Sequence, residues 1–138
     1  MSAIAGRVKI TDYEPGMFMP THSHDYSKIS FVLYGNAIEG SFESESMIRP
    51  GCVLTKPSGF EHFDAVGTQG LRVLSIRATP LTHEGNDAWQ YLVSRYRQIP
   101  IDPCLGRVVR SWIDKDIEAS DVIEEAVFCL AGTTRKFD

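Results

Sequence analysis

Short segments of alternating apolar and polar side chains, separated by turn-forming residues, make up the first 82 residues of this 138-residue chain. In one segment, Ile29, Phe31 and Leu33 take every second position, and Gly35-Asn36 follows as a turn. A period of two places alternate side chains on opposite faces of a strand. About eight such segments in about 75 residues is the density of a small antiparallel sandwich or barrel. The pattern therefore predicts a mainly β domain over residues 1–82.

The periodicity changes to that of helices after Pro80. Three segments, NDAWQYLVSRYRQ, IDPCLGRVVRSWI and SDVIEEAVFCLAG, carry apolar residues at spacings of three and four. Asp102 before Pro103 is typical of a helix N-cap and first helical residue, and Gly132 is typical of a terminator. Residues 83–138 are therefore predicted to form a helical segment of two to three helices, which packs on the β domain or forms a dimer interface.

Composition argues against several classes of partner. The net charge is −4 and the pI is about 5.5, without a clustered basic face, so we expect no direct binding of nucleic acid. There is no apolar run long enough for a signal peptide or a membrane span. Three cysteines, an odd number without a CxxC pair, argue against a disulfide scaffold. A cytoplasmic location without membrane contact is the prediction.

Three histidines are candidates for a common site. His22 and His24 are two residues apart, so on an extended strand both rings point to one face, and His62 on a paired strand can approach the same face. Three imidazoles are a legitimate ligand set for zinc or another transition metal. The same rings also serve as neutral hydrogen-bonding groups in the wall of a ligand pocket. Both interpretations stay open.

Lys28 and Asp64 extend the candidate site. An ammonium group repels a divalent cation but suits an anionic group, such as a carboxylate, on a small ligand. Alternatively, Lys28 reaches a neighbouring carboxylate. Asp64 follows His62 by two residues and either supplies an oxygen ligand to a metal or pairs with Lys28. The alternation of the strand places Ser30 and Tyr34 on the same face as Lys28. The predicted ligand-binding set is His22, His24, Lys28, Ser30, Tyr34, His62 and Asp64, and the predicted metal ligands are His22, His24 and His62.

The other face of the same strand carries Ile29, Phe31 and Leu33. Three large apolar side chains on an exposed face favour association, so we expect the C-terminal helices or a second subunit to cover them. The apolar stripes of the helices add to this surface. We therefore predict a homodimer, formed through the helical tail or through this strand face.

The spacing of the histidines and glycines resembles the two signature motifs of the cupin superfamily over roughly residues 5–82. The first motif reads His22, one residue, His24, three residues, Lys28, six residues, Gly35; the second reads Gly51, five residues, Pro57, one residue, Gly59, two residues, His62. The resemblance implies a cupin-type jelly-roll β-barrel, in which two antiparallel sheets enclose a central cavity. It also implies a divalent metal, such as Zn, Fe, Mn or Ni, as the cofactor. The position of Lys28 is usually a glutamate ligand in such proteins, so the ligand set here is incomplete.

Two longer stretches, PTHSHDYSKISFVLYG and IRPGCVLTKPSGFEHFDAVGTQGLRVLSI, resemble the N-terminal sensing domain of AraC-type transcription regulators. The segment DVIEEAVFCLAG is similar to the helical linker and dimerisation segment that follows the barrel in those proteins. This resemblance implies a small-molecule-sensing domain. The DNA-reading unit of the family does not occur in this sequence, so we expect a domain of a longer regulator or a stand-alone relative that acts through a partner.

Two other functions stay open. One is a metal-dependent cupin enzyme of the dioxygenase or isomerase type, in which the three histidines hold a metal that acts as a Lewis acid or activates oxygen. The other is an interaction protein whose barrel is filled by its own side chains. The sequence has no GxSxG, HExxH or phosphate-cradling glycine motif, so it offers no standard nucleophilic or phosphoryl-transfer apparatus. We expect the non-enzymatic sensor first and the metal-dependent enzyme as the alternative.

Overall fold

The computed structural model describes residues 2–113 and 119–136, and the side chains of residues 2–110 and 122–136. The N-terminal part is built from β1 Ile4–Tyr13, β2 Phe18–His22, β3 Lys28–Gly40, β4 Glu45–Ile48, β5 Cys52–Lys56 and β6 His62–Pro80. The C-terminal part contains α1 His83–Leu92, β7 Arg97–Pro100, α2 Pro103–Ile113 and α3 Ala119–Arg135. The predicted class, a mainly β fold followed by helices, is confirmed.

The strands form an antiparallel sheet in which β3 and β6 each pair with three other strands. The main path runs β1-β6-β3-β5-β7, with β2 on β6 and β4 on β3. The first half of β6 pairs with β2 and with the end of β3, and its second half pairs with β1 and with the start of β3. Because β6 is shared in this way, it brings residues of β1, β2 and β3 next to its own.

The prediction of about eight strands before residue 82 is wrong, because residues 2–82 form six. Gly35 is predicted to lie in a turn but lies inside the long strand β3, and residues 62–80 form the single strand β6. Gly35 has φ +78°, and a Cβ at this position would collide with the carbonyl oxygen of Gly70. Register shifts flank it on both sides. Positive φ at glycine therefore produces bulges inside long strands instead of turns.

The helices cover the face of the sheet that carries Ile29 and Phe31. Both side chains are fully buried in a cluster with Trp89, Leu92 and Val127, and Leu33 packs against the cluster from a partly buried position. The sequence predicts that either the C-terminal helices or a second subunit covers this face, and the structure shows the helices of the same chain in that position. A dimer through Ile29 and Phe31 is therefore excluded in this fold, and dimerisation by another surface stays a prediction.

The first helix is shorter than its apolar stripe predicts. It ends at Leu92, where Arg97 donates hydrogen bonds to the carbonyl oxygens of Tyr91 and Leu92, at 3.1 and 2.7 Å. These contacts satisfy carbonyl groups that the end of a helix leaves free. The residues that follow form β7 on the edge of β5, so a strand lies within the segment predicted to be helical.

Predictions for the other helix ends have mixed outcomes. Asp102 caps α2, since its Oδ1 accepts a hydrogen bond from the Leu105 N–H at 2.8 Å. Gly132 does not terminate α3, which continues to Arg135. None of the helices in the described ranges is both long enough and apolar enough to span a bilayer.

Candidate functional site

A cavity of about 170 Å³ lies on the face of the sheet opposite the helices. Ser30 and Ser75 point into it and are hydrogen-bonded through their Oγ atoms at 3.1 Å, whereas their neighbours Ile29 and Ile76 are buried under the helices. Leu54 and Val73 belong to the apolar wall. Six of the seven residues predicted to bind ligand line this cavity: His22, His24, Lys28, Ser30, His62 and Asp64.

Tyr34, the seventh, lies outside the cavity. Its side chain is 54% exposed and lines a separate surface groove with Ile10 and Arg72. The strand register shifts between Val32 and Tyr34, so the strict alternation that predicted an inward Tyr34 is interrupted by a bulge. Tyr34 therefore does not share the cavity with the other six residues.

The three histidine rings converge at the mouth of the cavity. His22 pairs directly with His62 across the β2–β6 ladder, with ring centroids 4.4 Å apart. His24, in the loop after β2, lies 5.4 Å from the ring of His22 and 6.0 Å from that of His62. One nitrogen from each residue lies within 4.8 Å of the other two. This spacing allows the three rings to hold one ion or one small polar group together.

Backbone contacts define which ring nitrogens are available. His22 Nδ1 donates to the carbonyl oxygen of Pro20 at 2.7 Å, and His62 Nδ1 donates to that of Phe60 at 3.2 Å. A carbonyl oxygen only accepts, so Nδ1 carries the hydrogen in both rings. When these rings are neutral, Nε2 keeps a lone pair for a metal or for a hydrogen-bond donor.

Burial keeps two of the histidines neutral. The pKa of His62 is lowered to about 4 by burial and by the positive charge of Lys56. The pKa of His24 is also lowered, by burial and then by the charges of Lys28 and His22. Neutral imidazole is the form that binds a metal and accepts a hydrogen bond.

Lys28 brings a positive charge into the same cavity. Burial, followed by the nearby charge of Lys56, lowers its pKa to about 8, so the ammonium form still dominates at pH 7. Among the residues that the structure describes, Lys28 has no hydrogen-bond or ion-pair partner. The expected alternative of a Lys28–Asp64 ion pair does not occur within 4.0 Å. Lys28 is a half-buried cation whose donors are free for a ligand.

Sequence reasoning missed a buried polar network beside the histidines. Lys56 Nζ donates to Glu39 Oε2 at 2.6 Å, and the Tyr96 hydroxyl donates to Glu39 Oε1 at 2.8 Å. Burial alone would raise the pKa of Glu39, but the charge of Lys56 and the hydrogen bonds from Asp64, Lys56 and Tyr96 outweigh it and lower that pKa. Strand alternation in the sequence could have indicated Lys56, because it places Lys56 on the same face as Leu54, which lines the cavity.

Asp64 is the partner of Glu39 in a carboxyl pair. The two residues are directly opposite in the β3–β6 register, and burial together with the hydrogen bond and charge of Glu39 raises the pKa of Asp64 to about 7. Asp64 Oδ2 lies 3.6 Å from His62 Nε2, and its buried Oδ1 has no partner among the described residues. Glu39, His62 and Asp64 form a second group whose ligand atoms lie within 4.8 Å of one another.

Comparisons with known proteins support the fold. No protein-family model and no curated protein matches the sequence. A structure of ToxT from Vibrio cholerae O395, bound to (E)-4-(8-methylnaphthalen-1-yl)but-3-enoic acid, matches 96% of this chain and 56% of the ToxT chain, with TM-score 0.65 and 8% identity. A second ToxT structure from Vibrio cholerae matches 96% of this chain and 55% of that chain, with TM-score 0.65 and 9% identity.

A cupin superfamily protein from Desulfitobacterium hafniense DCB-2 also matches, over 53% of this chain and 66% of that chain, with 16% identity and a TM-score of only 0.47. ToxT, with TM-score 0.65 over 96% of this chain, is the neighbour whose fold agrees with this structure. The chain spans little more than half the length of ToxT. The likeness establishes the fold, and it confirms the cupin-type architecture with C-terminal helices.

Proposed function

We propose that this chain is the small-molecule-sensing cupin domain of an AraC-like regulatory system, and that its ligand carries an anionic group bound by Lys28. The observation that carries this proposal is the unpaired ammonium of Lys28 inside a cavity in which burial keeps His24 and His62 neutral. A cation with free donors in a partly desolvated site favours a carboxylate, through charge-assisted hydrogen bonds. His62 and Ser30 then supply a hydrogen-bond acceptor and a hydroxyl for the rest of the ligand.

The size of the cavity narrows the ligand class. A volume of about 170 Å³ is below the roughly 300–1,000 Å³ of pockets for drug-sized molecules. A short-chain organic acid is therefore a better fit than an extended one. The ToxT structure of the same fold holds a butenoic acid derivative, which is also an organic acid, and this supports an acidic ligand here.

The coupling of the ligand to the helices runs through Glu39 and Tyr96. Tyr96 belongs to the segment between α1 and β7, and its ring stacks on Phe60 at a centroid distance of 4.7 Å. A ligand that moves the Glu39 carboxylate therefore acts on the helical segment. It shifts the arrangement of the helices only if it binds two arrangements with different affinity. We assign the cavity to residues 1–82 and the coupling to residues 83–138, acting as a cytoplasmic homodimer.

Calorimetric titration with short-chain monocarboxylates, such as butyrate, tests this proposal. We expect a monocarboxylate to bind and to raise the melting temperature, and we expect Lys28→Met to weaken binding about 10-fold or more, as loss of a charge-assisted hydrogen bond does. Lys136→Met removes the same charge from an exposed site and is the matched control. Binding that is equal in both variants contradicts a role for Lys28.

A metal-dependent enzyme is the second candidate, favoured by the three histidine nitrogens that lie within 4.8 Å of one another. The donor set fits a metal ion such as Zn, Fe, Mn or Ni, since His24 and His62 are neutral and His22 and His62 present Nε2. When bound, the ion would supply Lewis-acid or oxygen-activating chemistry. Lys28 opposes it, because an ammonium in the same cavity repels a divalent cation. We therefore rank the sensor first.

A further inference from the structure

A row of cationic residues crosses the cavity face of the sheet, one on each of four neighbouring strands. Arg7 of β1 is directly opposite Arg77 of β6, and Lys28 of β3 is directly opposite Lys56 of β5. The β3–β6 ladder pairs Ile29 with Ile76, and one further step in this antiparallel register places Lys28 opposite Arg77. The row therefore reads Arg7, Arg77, Lys28, Lys56, with adjacent members about 5 Å apart at Cβ.

All four side chains leave the sheet on the side of the cavity. Arg77 is two residues from Ser75 and Lys28 is two residues from Ser30, and both serines line the cavity. Side chains two apart on a strand share a face. Arg7, as the direct partner of Arg77, is on the same face. The row is thus an extension of the cavity wall beyond Lys28.

In the described part of the chain, only one of the outer cationic residues of this row has a carboxylate partner. Glu39 neutralises Lys56, but within residues 2–113 and 119–136 neither Arg7 nor Arg77 lies within 4.0 Å of a carboxylate. Other exposed arginines do have such a partner, since Arg72 pairs with Asp12. Like charges that are directly opposite destabilise a strand pair. An anion between the two guanidinium groups would remove this repulsion.

The two arginines line an open pocket of about 310 Å³, whose wall also includes Trp89 of α1. Hydroxyl-bearing Ser27 and Thr79 also line it, and the ring of Tyr26 lies 3.5 Å from the Arg77 guanidinium carbon. A guanidinium stacked on an aromatic face keeps its edge N–H groups free for bidentate contacts with an oxyanion. The ring of His24 lies 5.1 Å from that of Tyr26, so one short loop borders both the pocket and the cavity.

We propose that Arg7 and Arg77 form a second anion-binding subsite for the same ligand, and that the ligand is a short organic diacid. This inference rests on the proposed function, because the first carboxylate is the one bound by Lys28. The second carboxylate reaches the arginine pair one strand away, a span of about 5–7 Å set by the spacing of neighbouring strands. Diacids with four to six carbons have this reach, and the small cavity volume favours the same size.

Titration of the full chain with chain-matched acids tests this inference. The probes are succinate, glutarate and adipate, each compared with butyrate, valerate or hexanoate of the same carbon number. We expect at least one diacid to bind ~10-fold or more tightly than its monoacid, which is the effect of an added charge-assisted contact. Arg7→Gln and Arg77→Gln should each remove most of the ~10-fold difference in affinity between the diacid and its monoacid. Affinity for the monoacid should change little in either variant. Arg72→Gln, an equal charge change on the same strand as Arg77, should leave it intact.

The outcomes separate the two proposals. If monoacids bind in a Lys28-dependent manner but diacids gain nothing, or if the gain survives in both Arg7→Gln and Arg77→Gln, the second subsite is refuted and the sensor proposal stands. If no acid of either class binds, the sensor proposal fails together with the subsite. If inorganic phosphate binds as tightly as the diacids, and Lys28→Met leaves both affinities unchanged, the arginine pair is an independent anion site and the diacid inference is overturned.

Discussion

Lys56 Nζ lies 2.6 Å from Glu39 Oε2 in the wall of the cavity, where both side chains are more than nine-tenths buried. The Tyr96 hydroxyl occupies the other oxygen of Glu39. A buried ion pair is weak evidence for net stability, because both charges lose their hydration. Removal of one member is different, since it leaves the other charge buried without compensation. Each member of the pair is therefore needed for stability as long as the other member is charged and buried.

The first prediction concerns this pair. Lys56→Met should lower the free energy of unfolding by about 3–5 kcal/mol, because the Glu39 carboxylate remains buried and unpaired. The double variant Lys56→Met/Glu39→Gln should recover most of the loss, since the neutral amide still accepts the Tyr96 hydrogen bond. Urea denaturation measures both. Arg72→Met breaks an exposed ion pair and should have little measurable effect. A Lys56→Met variant as stable as this control would refute the requirement.

Asp64 and His62 shift stability with pH in opposite directions. The pKa of Asp64 is raised to about 7 by burial and by Glu39, so its contribution is complete below about pH 4, its ordinary pKa, and is lost as pH rises through about 7. The pKa of His62 is lowered to about 4 by burial and by Lys56, so its contribution is complete above about pH 6.5 and is lost as pH falls through about 4. Between pH 4.5 and 6.5, roughly, the two effects offset each other.

The second prediction removes one of the two effects. In Asp64→Asn, the free energy of unfolding should increase with pH more steeply than in the wild type between about pH 4.5 and 6.5, by up to ~1.4 kcal/mol per pH unit. Chemical denaturation at several pH values measures the slopes. Asp12→Asn changes the same charge at an exposed site and should keep the wild-type slope. Parallel curves for all three proteins would show that Asp64 is ionised across this range.

Strand alternation was sufficient to find part of the cavity lining, because its period is a short-range property of the chain. It put Ser30 and Lys28 on one face, as the cavity has them, whereas His24 reaches the cavity from the loop after β2. It failed at Tyr34 because the bulge before this residue depends on pairing with β6, some forty residues later in the chain. A register shift of this kind leaves no local signal.

Long-range contacts also explain the other differences from prediction. The apolar spacing that includes Trp89 and Leu92 predicts a helix that continues past Leu92. In the structure α1 ends at Leu92, and the chain then pairs with the edge of β5 as β7. Glu39 and Lys56 lie 17 residues apart, and only the folded sheet brings them into contact. Propensity and periodicity describe elements well, whereas the ends of elements and buried ion pairs depend on tertiary partners.

The third prediction concerns the bulge at Gly35. Gly35 and Gly51 both have positive φ, at 78° and 91°, but only at Gly35 would a Cβ meet another backbone segment. Gly51→Ala should therefore lower stability only by the conformational strain of about 1 kcal/mol. Gly35→Ala should lower stability considerably more, since the carbonyl of Gly70 must move. Thermal denaturation of the two variants gives the comparison, and equal losses would contradict a close β3–β6 contact at this bulge.

The fourth prediction concerns the pH dependence of acid binding. Burial and Lys56 lower the pKa of Lys28 to about 8, so its positive charge is mostly present at pH 7 and mostly absent at pH 9. Affinity for butyrate should fall about 10-fold between these two pH values, in proportion to the protonated fraction. Lys28→Arg keeps its charge throughout this range and should bind butyrate equally at both. A wild-type affinity that does not change with pH would exclude Lys28 as the anion-binding group.

The fifth prediction addresses the metal alternative through the same lysine. Lys28 opposes a cation at His22, His24 and His62, so protein purified without a metal-affinity tag should contain well below one equivalent of metal. Lys28→Met should bind Zn²⁺ more tightly than the wild type because the repulsion is removed, and Lys28→Glu more tightly still because an oxygen ligand is added. Metal analysis and Zn²⁺ titration measure this order.

His83→Gln, which changes the one histidine outside the cavity, serves as the control for that series, and His62→Gln should abolish the gain in Lys28→Glu. The order matters more than any single value, because it depends on the charge at position 28 and not on the histidines alone. Stoichiometric metal in the wild type, with no gain in Lys28→Met, would mean that the ammonium turns away from the rings. A metal-dependent enzyme would then be the better interpretation of this cavity, and the proposal that Lys28 binds an anionic ligand would be refuted.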